Sequence, residues 1–168
     1  WCVAKNAYKE FNGVTTGHFA AKIGEREFLT SIRKTNFNDI AKNGMVRVTT
    51  DGNDSIIAYG AKPSVGGQSQ RIIFDNFLES DCIVHFHCPL KKNHRDDVNV
   101  ISQYENECGS HQCGISTSEG LRPHGNLHAV MLDNHGPNIV FNHNVSKEEV
   151  IDFIEANFDL SQHTSGYL

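Results

Sequence analysis

The sequence lacks any long apolar run: no stretch approaches the roughly 18 consecutive apolar residues that a membrane-spanning helix needs. The start, Trp1 to Lys5, has no signal-peptide profile. Basic clusters are scarce, and the formal net charge is -5 at pH 7, which argues against a general nucleic-acid binder. Internal repeats and low-complexity tracts are also absent. We therefore expect neither a membrane partner nor a nucleic-acid partner.

The composition is that of an ordinary globular chain, with 38% hydrophobic and 21% charged residues among 168. This length predicts one domain over residues 1–168. The chain begins at Trp1 rather than at an initiator methionine, so we expect either a trimmed chain or a piece of a longer polypeptide. Five cysteines, an odd number without regular spacing, favour reduced thiols and a cytoplasmic location.

Residue periodicity predicts a chain of strands interrupted by a few helices. Strands are expected at 18–23, 27–30, 45–49, 55–59, 82–87, 129–132 and 138–141, and helices at 3–11, 69–78 and from Ser146 onward. The last helix has the clearest signal, because Ser146 and Glu149 form a capping box. The polar, glycine-punctuated region 91–124 is expected to be mostly loop and to carry functional residues. This order of elements predicts a mixed β-sheet.

Two histidines two positions apart, His85 and His87, follow the apolar run that starts at Cys82. Side chains at positions i and i+2 of a strand share one face, roughly 7 Å apart, so both imidazoles can approach one ion. A third histidine, His135, could complete the set from a neighbouring strand. Three imidazoles with an open position are typical of a catalytic divalent metal. Because the chain has ten histidines, a chance pairing is the alternative.

Four short motifs occur in order along the chain: Gly17-His18-Phe19-Ala20, Lys62-Pro63-Ser64, Val84-His85-Phe86-His87 and His135-Gly136. In this order the sequence resembles the class II aldolase/adducin family. Its members typically show a Gly-Asn-x-Ser strand, a Lys-Pro-Ser-x-Glu turn, a His-x-His strand and a His-Gly turn. The resemblance implies an α/β fold with a mixed, mainly antiparallel central β-sheet flanked by helices.

The resemblance also implies a metal and a substrate. His85, His87 and His135 fall where the family binds a divalent ion, usually Zn²⁺, which would stabilise an enediolate formed from a sugar-like substrate. The family's pocket for the phosphate end of the substrate corresponds to Thr16, Gly17, His18 and Ser64. For Gly17 and Ser64, ordinary turn chemistry is an equally good explanation. Family members commonly form homotetramers, so the resemblance implies a homo-oligomer.

Two positions depart from the family pattern. His18 replaces the asparagine after the first glycine, and Gly66 stands where aldolases place their acid/base glutamate. Glycine cannot transfer a proton, and a positioned acid/base group typically contributes about 10² to 10⁴ in rate. The segment from Ile101 to Glu105 resembles the context in which a dehydratase branch of the family supplies its glutamate. Glu105 is therefore the first candidate for the acid/base and Glu107 the second, unless both are solvated loop residues.

Two hypotheses about function follow. The first is a zinc-dependent lyase of the aldolase, dehydratase or epimerase type that acts on a small phosphorylated sugar or polyol. The second is a catalytically silent, adducin-like module for assembly or ligand binding. The three histidines favour the enzyme, because adducin-type relatives need no metal, whereas Gly66 favours the silent module.

Overall fold

The structure is a computed structural model that describes residues 1–52, 55–103, 107 and 109–164. Within this part of the chain, eleven strands and four α-helices follow one another. The strands are β1 (Glu10–Phe11), β2 (Val14–Thr15), β3 (His18–Gly24), β4 (Glu27–Ser31), β5 (Met45–Thr50), β6 (Ile56–Tyr59), β7 (Cys82–His85), β8 (Val100–Ile101), β9 (Arg122–His124), β10 (Leu127–Leu132) and β11 (Gly136–Phe141). The helices are α1 (Ile40–Asn43), α2 (Gly67–Asn76), α3 (His111–Gly120) and α4 (Lys147–Asn157), and a 3₁₀ turn spans Phe37–Asp39.

Nine of the described strands form one mixed sheet in the order β6-β5-β4-β3-β7-β11-β10-β8, with β9 also paired to β10. Every pairing is antiparallel except the one between β10 and β8. The expected mixed, mainly antiparallel sheet is therefore confirmed. The strand β7 lies at the centre, between β3 and β11, so the residues at its end are reached from both neighbours.

Two apolar cores cover the two faces of the sheet. Along β11, Ile139 packs into one core and the next residue, Val140, into the other, as the alternation of side chains in a strand requires. Helix α4 contributes Phe153 to the first core, and α2 contributes Phe74 to the second. Helix α3 packs against α2. The sheet is thus flanked by helices on both faces, as the resemblance implies.

Most element bounds predicted from the sequence are confirmed to within one or two residues. The helix from Ser146 is also confirmed: the Ser146 hydroxyl accepts a hydrogen bond from the backbone nitrogen of Glu149 at 3.1 Å. In the part of the chain that the structure describes, no helix is long and apolar enough to cross a membrane.

The helix predicted over residues 3–11 is wrong. Turns occupy this segment, and its end forms β1, which pairs with β2. Asn6 has a φ of 56°, which lies outside the right-handed helical region and ends the single turn that precedes it. The burial of Ala7 and Tyr8 comes from packing into the core that Phe37 and Phe86 share, rather than from an amphipathic helix.

The region 91–124 is less loop-rich than predicted, because it contains α3, β8 and β9. Helix α3 consists mainly of small and polar residues, so its sequence has no apolar stripe to signal a helix. The Ser110 hydroxyl caps this helix by accepting a hydrogen bond from the backbone nitrogen of Cys113 at 3.1 Å.

Candidate metal centre and substrate cavity

The central strand β7 presents the predicted histidine pair at its carboxyl end. His85 is the last residue of the strand, and the ring centroids of His85 and His87 lie 5.1 Å apart. Phe86, between them, is fully buried in the core that α4 covers. The chain therefore buries the phenyl ring in the core and holds both imidazoles together on the side of the cavity described below.

His135 comes from the tight turn that joins β10 to β11, next to β7 in the sheet. Its ring centroid lies 4.9 Å from that of His85 and 4.5 Å from that of His87. One ring nitrogen from each histidine can be chosen so that all three lie within 4.8 Å of one another. The structure thus brings together the three histidines that were picked as metal ligands from sequence alone.

All three imidazoles are buried, and burial is the main cause of their lowered pKa values. The pKa of His135 falls to about 4 and that of His87 to about 2. The pKa of His85 falls well below its usual 6.5, through burial first and then through the neighbouring histidines. Near pH 7 these rings are therefore neutral, and neutral imidazole is the form that binds a metal ion.

The hydrogen bonds of the cluster fit a metal ion. Nδ1 of His85 lies 2.8 Å from the carbonyl oxygen of Pro137, so it donates its proton there and leaves a lone pair on Nε2. This Nε2 is buried and has no hydrogen-bond partner among the residues described. A carbonyl that holds the second nitrogen of an imidazole is the usual support of a metal-binding histidine.

Two further nitrogens complete the donor set. Nε2 of His87 and Nε2 of His135 lie 3.1 Å apart. Zn–N bonds of about 2.0 to 2.1 Å in a tetrahedral site would separate two ligand nitrogens by roughly 3.3 Å. The spacing and the unpartnered Nε2 of His85 therefore both suit a small divalent ion. Nδ1 of His87 and of His135 is also without a partner in the described part of the chain.

The cluster opens onto a cavity of about 640 Å³. Seven residues predicted as ligands, substrate contacts or acid/base groups line it: Gly17, His18, Ser64, His85, His87, Glu107 and His135. Thr16 does not line the cavity. Its hydroxyl donates a hydrogen bond to the carbonyl oxygen of Lys9 at 3.1 Å and lies 3.3 Å from Nε2 of His163.

Gly17 and Ser64 also have structural roles. Gly17 has a φ of +110°, and a Cβ there would lie 2.4 Å from the carbonyl oxygen of His85. Only glycine permits this close approach of the chain to β7. The Ser64 hydroxyl accepts a hydrogen bond from the backbone nitrogen of Gly66 at 3.3 Å. Turn chemistry therefore accounts for both residues, and their part in substrate binding stays a prediction.

Of the two acid/base candidates, the structure describes only Glu107. Glu107 is exposed and lines the cavity. Glu105, the first candidate, lies outside the residues that the structure describes. Gly66 lines the cavity at the N-terminus of α2, where it offers no side chain. The assignment of the acid/base to Glu105 or Glu107 therefore stays a prediction.

Several polar residues of the cavity wall were not expected from the sequence. Ser31 and Gln103 are buried there, and each carries a side-chain oxygen without a partner in the described chain. Nε2 of Gln103 donates a hydrogen bond to Sγ of Cys113 at 3.1 Å. Arg33 and Lys34 are exposed at the same cavity. Ser31 directly follows a predicted strand, and this position could have marked it as a site residue. No sequence pattern marks Gln103.

The fold is a class II aldolase-like α/β fold. Three solved structures share this fold. L-fuculose 1-phosphate aldolase is 18% identical, with a TM-score of 0.62, and the match covers 88% of this chain and 73% of that protein. YgbL from Escherichia coli, described as a candidate aldolase/epimerase/decarboxylase, is 15% identical, with a TM-score of 0.63 and coverage of 92% and 78%.

The third structure, YgbL from Klebsiella pneumoniae, is 21% identical, with a TM-score of 0.60, and the match covers 91% of this chain and 81% of that protein. No protein-family model matches the sequence, and no curated protein is significantly similar to it. The resemblance found in the sequence is therefore confirmed at the level of the fold, for a chain whose sequence has diverged widely.

Proposed function

We propose that the protein is a metal-dependent lyase of the aldolase, dehydratase or epimerase type that acts on a small phosphorylated sugar or polyol. The observation that carries this proposal is the buried cluster of His85, His87 and His135 at the wall of a 640 Å³ cavity. The aldolase-like proteins that share the fold support it. The cluster would hold one divalent ion, for which Zn²⁺ suits a set of three imidazoles.

The bound ion would supply Lewis-acid polarisation of a substrate oxygen. The protein's own residues would do the rest. His85 is held by Pro137 in the tautomer that leaves Nε2 free to bind. Gly17, His18 and Ser64 line the cavity and would contact the substrate, while Thr16 would act from just behind them. Glu105, or otherwise Glu107, would move the proton.

Two further parts of the proposal concern the assembly and the location. We propose a homotetramer, as the resemblance to the class II aldolase/adducin family implies. Light scattering on the purified protein should then give four times the chain mass of 18.7 kDa. A monomer mass would contradict the tetramer and leave the metal site untouched. The cytoplasmic location remains a prediction from the odd number of cysteines.

The alternative is an adducin-like module without turnover. One observation favours it: Gly66 lines the cavity where a relative would carry the acid/base glutamate. The two functions differ in a measurable way. A silent module would bind sugar phosphates or a partner protein without ever exchanging or breaking a substrate bond.

The test uses the full chain loaded with Zn²⁺, Co²⁺ or Mn²⁺ and a panel of sugar phosphates in D₂O. Proton NMR detects both cleavage and exchange of a substrate hydrogen for deuterium. We expect exchange or cleavage of at least one substrate, with loss of about 10² or more in rate for Glu105→Gln. If Glu107→Gln loses the activity instead, Glu107 is the acid/base. Binding without exchange across the whole panel would favour the silent module.

A further inference from the structure

The imidazole of His18 occupies the space in which a side chain at position 66 would begin. A Cβ built on Gly66 would lie 2.4 Å from Nε2 of His18 and 2.5 Å from its Cδ2. These distances are far shorter than any real contact of a Cβ. The His18 ring and a side chain at position 66 therefore exclude each other. The two departures from the family pattern, His18 and Gly66, are thus coupled: the histidine at 18 requires the glycine at 66.

Both the backbone and a side-chain partner hold the His18 ring in place. His18 is the first residue of β3 and lies directly opposite His85 in the sheet, with ring centroids 4.6 Å apart. Gln70 of α2 places its side-chain nitrogen 2.8 Å from Nδ1 of His18. His18 and Gln70 are both buried. The ring is thus fixed by two elements of the fold rather than free to rotate in the cavity.

The contact with Gln70 sets which nitrogen of His18 carries the proton. With the Gln70 amide oriented so that its nitrogen faces His18, Nδ1 of His18 accepts that hydrogen bond and the ring proton is on Nε2. Among the described residues, the hydrogen bond of the His18 side chain is made by Nδ1, and His18 lines the cavity. An N–H donor is therefore available beside the three-histidine cluster.

We propose that His18, whose ring fills the space in which a side chain at 66 would begin, donates a hydrogen bond through Nε2 to the substrate oxygen that lies beside His85. The inference rests on the proposed function and deepens it. His18 would contact the reacting end of the substrate rather than its phosphate end. A fixed N–H donor suits an anionic oxygen, so the matching ligands are small hydroxyacids and hydroxamates. Gln70 is the positioning residue for this contact.

The binding test uses glycolohydroxamate, which has no phosphate, and inorganic phosphate as separate probes of the zinc-loaded protein. We expect His18→Phe, which keeps a planar ring but removes the donor, to weaken glycolohydroxamate binding about tenfold or more. Its affinity for zinc and for phosphate should stay within about threefold of the wild-type values. Equal glycolohydroxamate binding by wild type and variant, or no binding by the zinc-loaded wild type, would overturn the proposal.

A second pair of variants tests the shared space. Gly66→Ala should push the His18 ring aside and weaken glycolohydroxamate binding as His18→Phe does. The matched control is Gly24→Ala, whose Cβ would meet only Glu27, at 3.7 Å. Circular dichroism establishes that both variants fold. A Gly66→Ala protein that folds and binds glycolohydroxamate as well as the control does would contradict the proposal.

Nitrogen-15 NMR reports which ring nitrogen of His18 carries the proton. A purely structural role of Gln70 would not change this tautomer. In the wild type we expect the His18 ring to carry its proton on Nε2, and Gln70→Leu to abolish the fixed tautomer while zinc still binds. A proton on Nδ1 would overturn the assignment of the donor. A wild-type protein that takes up no zinc would instead refute the proposed function itself, so the two failures are distinguishable.

Discussion

The backbone nitrogen of Thr164 lies 3.1 Å from the carbonyl oxygen of His87. The hydroxyl of the same threonine donates a hydrogen bond to the carbonyl oxygen of His135. One buried residue near the end of the described chain therefore joins the two segments that carry these histidines. No pattern in the sequence connected Thr164 with the site.

Replacement of Thr164 should loosen the histidine cluster. Thr164→Val keeps the shape but removes the hydroxyl, so the buried His135 carbonyl loses this donor, at a cost of about 1 to 3 kcal/mol in the free energy of unfolding. We expect zinc affinity to fall about tenfold, measured by competition with a chelator. Thr164→Ser should restore most of it. The exposed Ser161→Ala serves as the control, and equal zinc affinity in the valine variant would refute the role of Thr164.

Gly17 should tolerate no side chain. In Gly17→Ala the new Cβ would lie 2.4 Å from the carbonyl oxygen of His85 and 2.9 Å from the Tyr8 ring. We expect a loss of about 3 kcal/mol or more in the free energy of unfolding by urea denaturation. Gly13 is a matched control, since it also has a positive φ, +79°, but its Cβ would meet nothing within 4 Å. Gly13→Ala should lose only about 1 kcal/mol, and equal losses would show that the approach to His85 is not tight.

The metal-free protein should lose stability as the pH falls below about 6.5. The buried rings of His18, His85, His87 and His135 have pKa values lowered chiefly by burial, to about 3 for His18 and about 4 for His135. Between these values and 6.5 the unfolded chain binds protons that the folded chain does not, so protonation favours unfolding. Above pH 6.5 both states are neutral and the effect vanishes.

Each such group costs about 1.4 kcal/mol at pH 5.5. We expect the free energy of unfolding of the chelator-treated protein to be about 5 kcal/mol lower at pH 5.5 than at pH 7.5, from urea titrations. His18→Phe should show a smaller pH dependence, because one of the four rings is gone. A protein as stable at pH 5.5 as at pH 7.5 would contradict the buried, neutral cluster.

The sequence predicted much of the fold because its signals are local. Apolar and β-branched runs bounded by turn residues marked the strands, and the capping box of Ser146 and Glu149 marked α4. The errors arose where tertiary contacts override local patterns. Ala7 and Tyr8 have helical spacing but pack into the core from a turn, and the small residues of α3 are helical because they pack closely against α2.

The site was only partly predictable for the same reason. The histidines could be chosen by residue type and, for His85 and His87, by the i, i+2 spacing, because this spacing places two side chains on the same face of a strand. The steric relationship between His18 and Gly66 could not be predicted, because it depends on how β3 and α2 meet at the cavity. Gln70 and Thr164 act through hydrogen bonds between residues at least 29 positions apart, and these leave no local pattern.

The most direct test of the account is the zinc stoichiometry and affinity of the purified chain, measured by elemental analysis and chelator competition. We predict one zinc ion per chain, and a loss of about 100-fold or more in affinity for His87→Ala, since this variant removes a ligand. His94→Ala, whose ring does not line the cavity, should bind zinc like the wild type. A chain that takes up no stoichiometric divalent ion, or a His87→Ala variant that binds zinc as tightly as the wild type, would contradict the account.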